Sequence, residues 1–552
     1  MHVPPTSATR FPAFASTLRS VALGGLIAAL VPLATAVTIT VNAGTKIRTV
    51  DERVFGVNTA AWDSYCNTPE TIALVNAAGI RCLRGMGGSL SDEYHWQTNT
   101  TLANTWQWAT NFDAFANLAV QTSAQVVLTA NYGTGTPEEA AAWVTYSNVT
   151  KRYGFKYWEV GNENYGTWET DTQAVPHDPF TYANRTKQYI AQMKAADPTI
   201  KVGVVIVAGE DENANNTSHP ATNPRTNQVH NGWTPVMLAT LRAIGTTPDF
   251  VAYHRYDGAP GQENDAVLLQ KAKTWPTDIT NIRQQLTDYL GAAGAGVEIL
   301  VTENNSVYGD PGKQITSLVN ALYMADSIGN VLQTECNALL WWDLRNGQNN
   351  TKNLSASLYG WRQYGDYGIL TTPSTFGSTT ANEGYPTYYA MKLFTRFARG
   401  GDSIVSVTTD STLLSAFGCL RVDGTLRLLV INKSPTTIQS STISLAGFTP
   451  AAAATTYTYG IPEDEAARTN TGSKDILTGA IANASTSFTT TFEPYSLTVI
   501  SFTAGTSTPT PPPVVPPVTP PSSSSGGGGA MTLWFVAALA GLGLGRQCIR
   551  RN

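Results

Sequence analysis

The sequence predicts an α/β protein: a (β/α)8 TIM barrel with a C-terminal antiparallel β-sandwich domain. Eight short apolar runs alternate with helical stretches over residues 51–397, and eight such repeats favour closure into a barrel. A doubly wound open sheet is the alternative, but it would need a glycine-rich phosphate loop after the first run, and none follows it. Beyond residue 397, short alternating runs separated by turn residues predict the sandwich.

Residues 1–36 are typical of a signal peptide. Arg10 and Arg19 precede an apolar stretch over residues 21–33, and Ala34-Thr35-Ala36 matches a cleavage site. A permanent membrane anchor is the weaker alternative, because the apolar stretch is short. We therefore expect a secreted protein. Residues 37–50 follow, and the alternating pattern at their start predicts a strand that joins the β-sandwich.

The predicted barrel covers residues 51–397. Its strand candidates are the apolar runs at residues 54–58, 80–84, 125–131, 157–163, 201–207, 250–254, 297–303 and 338–344. Helices are predicted between them from first-turn prolines and apolar residues at helical spacing. One helix opens at Thr68, and others cover residues 112–122, 137–146, 179–196 and 277–290. Such alternation indicates a parallel sheet, and barrels of this kind carry their chemistry at the carboxyl ends of the strands.

The β-sandwich is predicted over residues 398–503, after which the composition changes. Residues 504–529 are rich in Pro, Ser and Gly and predict an extended linker, because such a segment cannot bury a core. Residues 530–552 combine an apolar run with a basic end and resemble a bacterial C-terminal sorting tail of the GlyGly type. A eukaryotic GPI signal and a transmembrane anchor are the alternatives. The expected location is the bacterial cell surface.

Charge and composition narrow the class of partner. The chain has 35 basic and 40 acidic residues, and five of the basic residues lie in the two terminal segments. An acidic body argues against nucleic acid, which needs a basic face. The 13 Trp and 23 Tyr residues suit the faces of sugar rings, although aromatic side chains also fill cores.

The five cysteines form neither a disulfide framework nor a zinc-binding spacing. Cys66 and Cys82 could pair in an oxidising compartment, and buried free thiols are an equal alternative. We expect no metal and no cofactor.

Two glutamates end apolar strand candidates. Glu163 ends the fourth run and Glu303 ends the seventh. A carboxylate at the end of a buried strand is costly unless the site needs it or a basic residue pairs with it. Retaining glycosidases need two carboxyl groups about 5–5.5 Å apart, and facing strands of a small barrel can provide that gap. The two glutamates therefore predict a glycosidase site at the barrel mouth.

Short motifs around these glutamates carry a family resemblance. Trp-Glu-Val-Gly-Asn-Glu at residues 158–163 and Thr-Glu-Asn at residues 302–304 resemble the fourth- and seventh-strand motifs of clan A glycoside hydrolases. Leu-Arg-Gly-Met-Gly-Gly-Ser at residues 83–89, followed by Tyr-His-Trp at 94–96, is similar to the second-strand segment of family 51 α-L-arabinofuranosidases. The resemblance covers residues 37–502. The chain departs from that family at Met86, where the family has proline, and at Asn164.

The resemblance implies a role for each matching residue. Glu163 would be the acid/base, protonated at the start, and Glu303 the ionised nucleophile. Asn162 would bind the hydroxyl next to the anomeric carbon. Arg84 would keep the nucleophile charged, and a structural salt bridge inside the barrel is a compatible alternative for it.

Further binding residues are proposed at the ends of other strands. His254 and Tyr256 resemble residues that orient the nucleophile, although a histidine at a strand end is as often a satisfied polar group. Trp342 could stack on a sugar ring or belong to the core. Trp62 and Trp96 are similar candidates in the first and second strand loops.

Other acidic residues are interpreted as structural or solvated. Glu159 and Glu298 lie earlier on their strands, so we expect structural roles for them. Asp92, Glu93 and Asp343 are expected to be mostly solvated loop acids.

Together these features predict a secreted retaining glycoside hydrolase with a carbohydrate substrate, most simply an α-L-arabinofuranoside on plant-type polysaccharide. Another clan A activity is the first alternative: β-xylosidase, β-glucosidase, β-glucuronidase or endo-glycanase. A non-catalytic surface carbohydrate-binding protein is an alternative of another class, against which the presence of both carboxylates argues. We expect contact with the membrane or cell envelope through the C-terminal tail only.

Overall fold

The computed structural model describes residues 37–101, 107–215, 217–373 and 381–505. All of them belong to one compact unit, which ends at Gly505. The predicted signal peptide, nearly all of the linker and the sorting tail lie outside the described residues. None of the helices in the described ranges has the length and apolar character that crossing a membrane requires.

The barrel is closed by eight parallel strands. Strand β1 (Val37–Thr49) precedes it, and a short hairpin of β7 (Ala221–Thr222) and β8 (Val229–His230) is inserted within it. The barrel strands are β2 (Gly56–Asn58), β3 (Cys82–Gly85), β4 (Gln125–Ala130), β5 (Tyr157–Val160), β6 (Lys201–Ile206), β9 (Phe250–Gly258), β10 (Glu298–Val307) and β11 (Ala338–Trp341). Each predicted apolar run supplies one strand, so the predicted barrel is confirmed.

Helices connect the barrel strands and cover their outer face. They are α1 (Pro69–Ala78), α2 (Phe112–Thr122), α3 (Pro137–Val144), α4 (Pro179–Ala196), α5 (Trp233–Ala243), α6 (Asp265–Lys271), α7 (Trp275–Leu290), α8 (Leu318–Val331) and α9 (Pro386–Phe397). Several begin where a polar side chain accepts a backbone N–H of the first turn, as Thr68, Asn111 and Asp178 do. Such N-caps satisfy donors that the helix itself leaves unpaired.

The C-terminal domain is one curled sheet of nine strands. After β12 (Ser403–Thr409) come β13 (Leu414–Leu420), β14 (Leu426–Asn432), β15 (Gln439–Ala446), β16 (Pro450–Gly460), α10 (Ile461–Thr469), β17 (Leu477–Ile481), β18 (Ser487–Phe492) and β19 (Ser496–Ala504). Strand β1 lies between β12 and β15, as expected for a strand that joins this domain. It pairs antiparallel with β12 but parallel with β15, so the sheet is mixed rather than wholly antiparallel.

The barrel and the curled sheet share one apolar core. Phe417 and Leu497 of the sheet belong to the same buried cluster as Met391 and Phe394 of α9. The cysteines Cys66, Cys82, Cys336 and Cys419 are buried free thiols, so Cys66 and Cys82 do not form the disulfide that was one alternative.

Candidate active site

A cavity of about 720 Å³ opens at the carboxyl end of the barrel strands. Polar and aromatic side chains alternate around it, as expected for a site that binds a polyhydroxylated ring. Among its lining residues are Asn162, Glu163, Tyr165, Trp168, His254, Tyr256, Glu303, Tyr308, Trp342 and Tyr367.

The structure corrects the position of both glutamates relative to their strands. Strand β5 ends at Val160, so Glu163 lies in the loop beyond it, with a positive φ of 44°. Strand β10 continues to Val307, so Glu303 lies within the strand. The register of β10 against β9 shifts between Val301 and Glu303, and such irregularities re-aim side chains. A carboxyl oxygen of Glu163 lies within 4.8 Å of one of Glu303.

Glu303 accepts a hydrogen bond on each of its two carboxyl oxygens. Arg84 Nη1 donates to Oε1 at 2.6 Å, and the Tyr256 hydroxyl donates to Oε2 at 2.6 Å. Arg84 is fully buried and also pairs with Glu159. Burial acts to lower the pKa of Arg84, but the carboxylates of Glu159 and Glu303 outweigh it and raise that pKa. Arg84 therefore stays cationic. The same side chain forms the structural salt bridge with Glu159 and contacts Glu303, so the two proposed roles are compatible.

Glu163 has a different set of partners. It is bonded to His254 Nδ1 at 2.8 Å, the Tyr165 hydroxyl at 3.0 Å and Trp168 Nε1 at 3.0 Å. Burial favours the neutral acid, yet these bonds and the His254 charge prevail and lower the pKa of Glu163. Burial opposes the charge on His254 too, but Glu303 and Glu163 outweigh it and raise its pKa. In the free site the proton of this pair lies on His254, whereas the sequence led us to expect it on Glu163.

His254 is oriented from its other side as well. Its Nε2 lies 3.0 Å from Thr302 Oγ1. Ligand atoms of Glu163, His254 and Glu303 all lie within 4.8 Å of one another, a spacing that a metal ion could occupy. Arg84 already supplies positive charge to this cluster, and the expectation that no metal is needed stays a prediction.

The aromatic candidates divide into two groups. Trp342 lines the cavity and packs so closely on Gly88 that an added Cβ there would lie 2.4 Å from the indole. Trp62 packs on Trp342 with ring centroids 6.4 Å apart. Trp96 instead stacks on Trp143 and donates to the Glu139 carbonyl. It is not among the residues that line the cavity, and its role at a sugar site stays a prediction.

Two acids expected in solvent are fully buried. Asp92 accepts the Asn162 backbone N–H at 3.1 Å and the Asn164 side-chain amide at 2.9 Å, and burial raises its pKa to about 7. Asp343 is fully buried as well, and burial raises its pKa. Glu93 is partly exposed. Both buried acids follow barrel strands, where neighbouring loops cover them.

The remaining acids match their structural interpretation. Glu298 binds Arg53 at 3.1 Å and also pairs with Lys201, at the amino-terminal end of β10. Glu159 binds Arg84 inside the barrel.

Sequence reasoning missed several side chains beside the cavity. Tyr165 and Trp168 follow Glu163 in the same loop, and that proximity was an available signal. Tyr308 comes one residue after β10. Glu169, which accepts hydrogen bonds from Ser89 and Asn162, had no sequence signal, since its contacts come from separate loops.

A closed (β/α)8 barrel joined to a β-sandwich, with paired carboxylates at the carboxyl end of the barrel, is an architecture of glycoside hydrolases. Within that class, a 99-residue match is 33% identical to the probable α-L-arabinofuranosidase C of Aspergillus niger and covers 15% of this chain and 18% of that protein. The match thus spans about a fifth of the length of the curated relatives. No model of a known protein family matches the chain.

Solved structures share the fold over most of the chain. The α-L-arabinofuranosidase of Thermotoga maritima in an arabinose complex has a TM-score of 0.63 at 20% identity, covering 84% of this chain and 99% of that one. A family 44 xyloglucanase of Paenibacillus polymyxa has a TM-score of 0.60 at 14% identity, covering 85% of this chain and 99% of that one. The family 51 α-L-arabinofuranosidase of Thermotoga petrophila also has a TM-score of 0.63 at 20% identity, covering 84% of this chain and 100% of that one. The resemblance to family 51 is thus confirmed in the fold, and one short stretch of sequence resembles α-L-arabinofuranosidase C.

Proposed function

We propose that this protein is a retaining glycoside hydrolase that releases α-L-arabinofuranosyl residues from plant-type polysaccharide or oligosaccharide. The proximity of Glu163 and Glu303, with one carboxyl oxygen of each within 4.8 Å of the other, carries the proposal. Inverting enzymes hold their carboxyl groups about 6.5–9.5 Å apart to admit a water, whereas retaining enzymes hold them about 5–5.5 Å apart. The names of the relatives support the choice of sugar.

The reaction proceeds in two displacements. Glu303 attacks the anomeric carbon while the bond to the leaving oxygen breaks, and Glu163 donates a proton to that oxygen. The proton reaches Glu163 from His254 along the 2.8 Å bond between them. In the second step Glu163 takes a proton from water, whose oxygen displaces Glu303 from the sugar, and Glu163 returns that proton to His254. The net reaction is hydrolysis with retained anomeric configuration.

Endo-hydrolysis of a polysaccharide is the second candidate. Trp168 and Tyr308 line the cavity, yet their side chains are 62% and 65% exposed. Exposed aromatic faces at a cavity mouth suit sugar units beyond the reacting one. Secretion and attachment to the cell surface remain proposals. Recovery of the protein inside the cell with residues 1–36 retained would contradict secretion, and its release from the cell surface unchanged after deletion of residues 530–552 would contradict attachment through the tail.

A panel of aryl glycosides tests the function. The full chain should hydrolyse the α-L-arabinofuranoside. Glu163→Gln should lose about 10²–10⁴-fold in rate, Glu303→Gln at least as much, and the exposed control Glu335→Gln should match the wild type. Proton NMR of the first product should show the retained anomer. Hydrolysis of a different glycoside only would contradict the proposed arabinofuranoside substrate. A product of inverted anomeric configuration would contradict double displacement. Cleavage of polysaccharide but of no aryl glycoside would favour endo-hydrolysis.

A further inference from the structure

A third buried carboxyl lies behind the catalytic pair. Glu169 is only 4% exposed. Its Oε1 accepts the Ser89 hydroxyl at 2.8 Å and Asn162 Nδ2 at 3.1 Å. Its Oε2 is buried and has no hydrogen-bond partner in the described part of the chain. Both donors are uncharged, which is unusual support for a buried carboxylate.

Asn162 is held from three sides, and Glu169 is one of them. Arg84 Nη2 donates to Asn162 Oδ1 at 2.8 Å, and Asp92 accepts the Asn162 backbone N–H at 3.1 Å. Glu169 accepts from the side-chain amide. Because Asn162 lines the cavity and precedes Glu163, these bonds orient its amide and anchor the peptide that carries Glu163.

The charged groups that act most strongly on Glu169 are negative. They are the carboxylates of Asp92, Glu163 and Glu303. The cations Arg84 and His254 pair with Glu303 and Glu163 and make no hydrogen bond to Glu169. Asp92 also accepts the backbone N–H groups of two residues in the loop after β4, which support it as an anion, whereas Glu169 has no comparable support. Burial, followed by the Asp92 and Glu163 carboxylates, raises the pKa of Glu169 to about 9.

We propose that Glu169 is a positioning residue that acts as an uncharged carboxylic acid and orients the Asn162 amide toward the bound sugar. A neutral group there avoids a further negative charge beside Glu303 and Glu163 while still accepting both hydrogen bonds. The orienting role rests on the proposed function, but the charge state does not, so the two are tested separately.

Thermal unfolding of the full chain between pH 5 and 9 tests the charge state. The unfolded chain releases the Glu169 proton near pH 4.5 and the folded chain near pH 9, so this group lowers stability as the pH rises through that window. Glu169→Gln has no proton to lose. Its Tm relative to the wild type should therefore increase steadily with pH, while the exposed control Glu335→Gln should show no trend. A Tm difference that is constant, or that favours the wild type more at high pH, would overturn the proposal.

Kinetics test the orienting role. Glu169→Ala should lower kcat more than it raises KM, and Glu169→Gln should restore most of that loss. In an Asn162→Ala background, Glu169→Ala should change kcat by no more than about twofold, because the two residues act as one unit. If the loss of kcat in the double variant equalled the product of the losses in the two single variants, Glu169 would not act through Asn162. Absence of all glycosidase activity would refute the proposed function and with it the orienting role, leaving the thermal result to decide the charge state.

Discussion

Single hydrogen bonds at the cavity determine which side chain holds a proton. The 2.8 Å bond between His254 and Glu163 joins a group whose pKa is raised to one whose pKa is lowered. In the proposed mechanism the pair acts as one acid that stores a proton on the imidazole and delivers it through the carboxyl. In the same proposal Asn162, Arg84 and Tyr256 transfer no proton: they hold and orient the groups that they contact.

His254→Gln should destabilise the protein in a pH-dependent way. The stability from the His254 charge is fully present below its ordinary pKa of 6.5 and is lost as the pH rises through its raised folded value. The stability from the Glu163 charge is present above pH 4.5 and is lost as the pH falls through the lowered pKa of Glu163 in the folded state. In denaturant titrations, the free energy of unfolding of the wild type should exceed that of the variant by about 3–5 kcal/mol, and the difference should be largest between these two pH limits.

His219→Gln is the matched control, because His219 is exposed. It should change the free energy of unfolding by less than about 0.5 kcal/mol. A loss for His254→Gln that stayed constant from pH 5 to 9 would argue against a charged pair.

Among the elements, the loop after β5 is the one that places Glu163, the proposed acid/base. Gly161 has a φ of +74°, and Glu163 follows with a φ of 44°. A Cβ at Gly161 would lie 1.8 Å from Asn164 Oδ1 and 2.9 Å from Tyr132 Cβ. The loop thus requires glycine both for its backbone conformation and for the close approach of its neighbours.

Gly161→Ala should therefore lower both stability and kcat. Strained backbone and the clash with Asn164 act together, so we expect a loss of at least about 1–3 kcal/mol and a displaced Glu163. Gly154→Ala is the comparison, because Gly154 has a φ of +69° but open space around its Cα. It should cost only about 1 kcal/mol and leave kcat unchanged. Equal effects of the two substitutions on unfolding and turnover would contradict this account.

On the scale of the whole molecule, the barrel and the curled sheet form one compact unit, which we expect to unfold cooperatively. Besides their common apolar cluster, two buried ion pairs join them. Lys433 of the sheet domain binds Asp326 of α8 at 2.6 Å, and Arg362 binds Asp464 of α10 at 2.9 Å. A buried ion that loses its partner is costly, so separating the domains is unfavourable.

Lys433→Ala should lower the free energy of unfolding by about 3–5 kcal/mol, because it leaves Asp326 buried and unpaired. Lys352→Ala removes a partner from the exposed Lys352–Asp310 pair and should cost at most about 1 kcal/mol. Calorimetry should show one transition for the wild type. Two separate transitions, or equal losses for the two variants, would mean that the domains are independent.

The sequence alone determined the barrel and much of the site. Apolar runs that alternate with helices specify parallel strands, and parallel strands in a barrel present their carboxyl ends at one mouth. For that reason Glu163 and Glu303, predicted from strand ends, meet around one cavity with Arg84, His254 and Tyr256, which the family resemblance added. The predicted ends of the strands were less accurate, as Glu163 and Glu303 show. A bulge or a residue with left-handed backbone conformation leaves no periodic pattern in the sequence.

Only the tertiary structure decided which loops meet, and with that the burial and charge state of their side chains. Spacing along the chain does not indicate that Glu169 reaches Ser89 and Asn162, that Asp92 lies beneath Asn164, or that Trp96 packs away from the site. Burial and pKa depend on distances between residues that are remote in sequence. The chemistry of the site therefore follows from residue types that the sequence displays, while their protonation follows from contacts that folding creates.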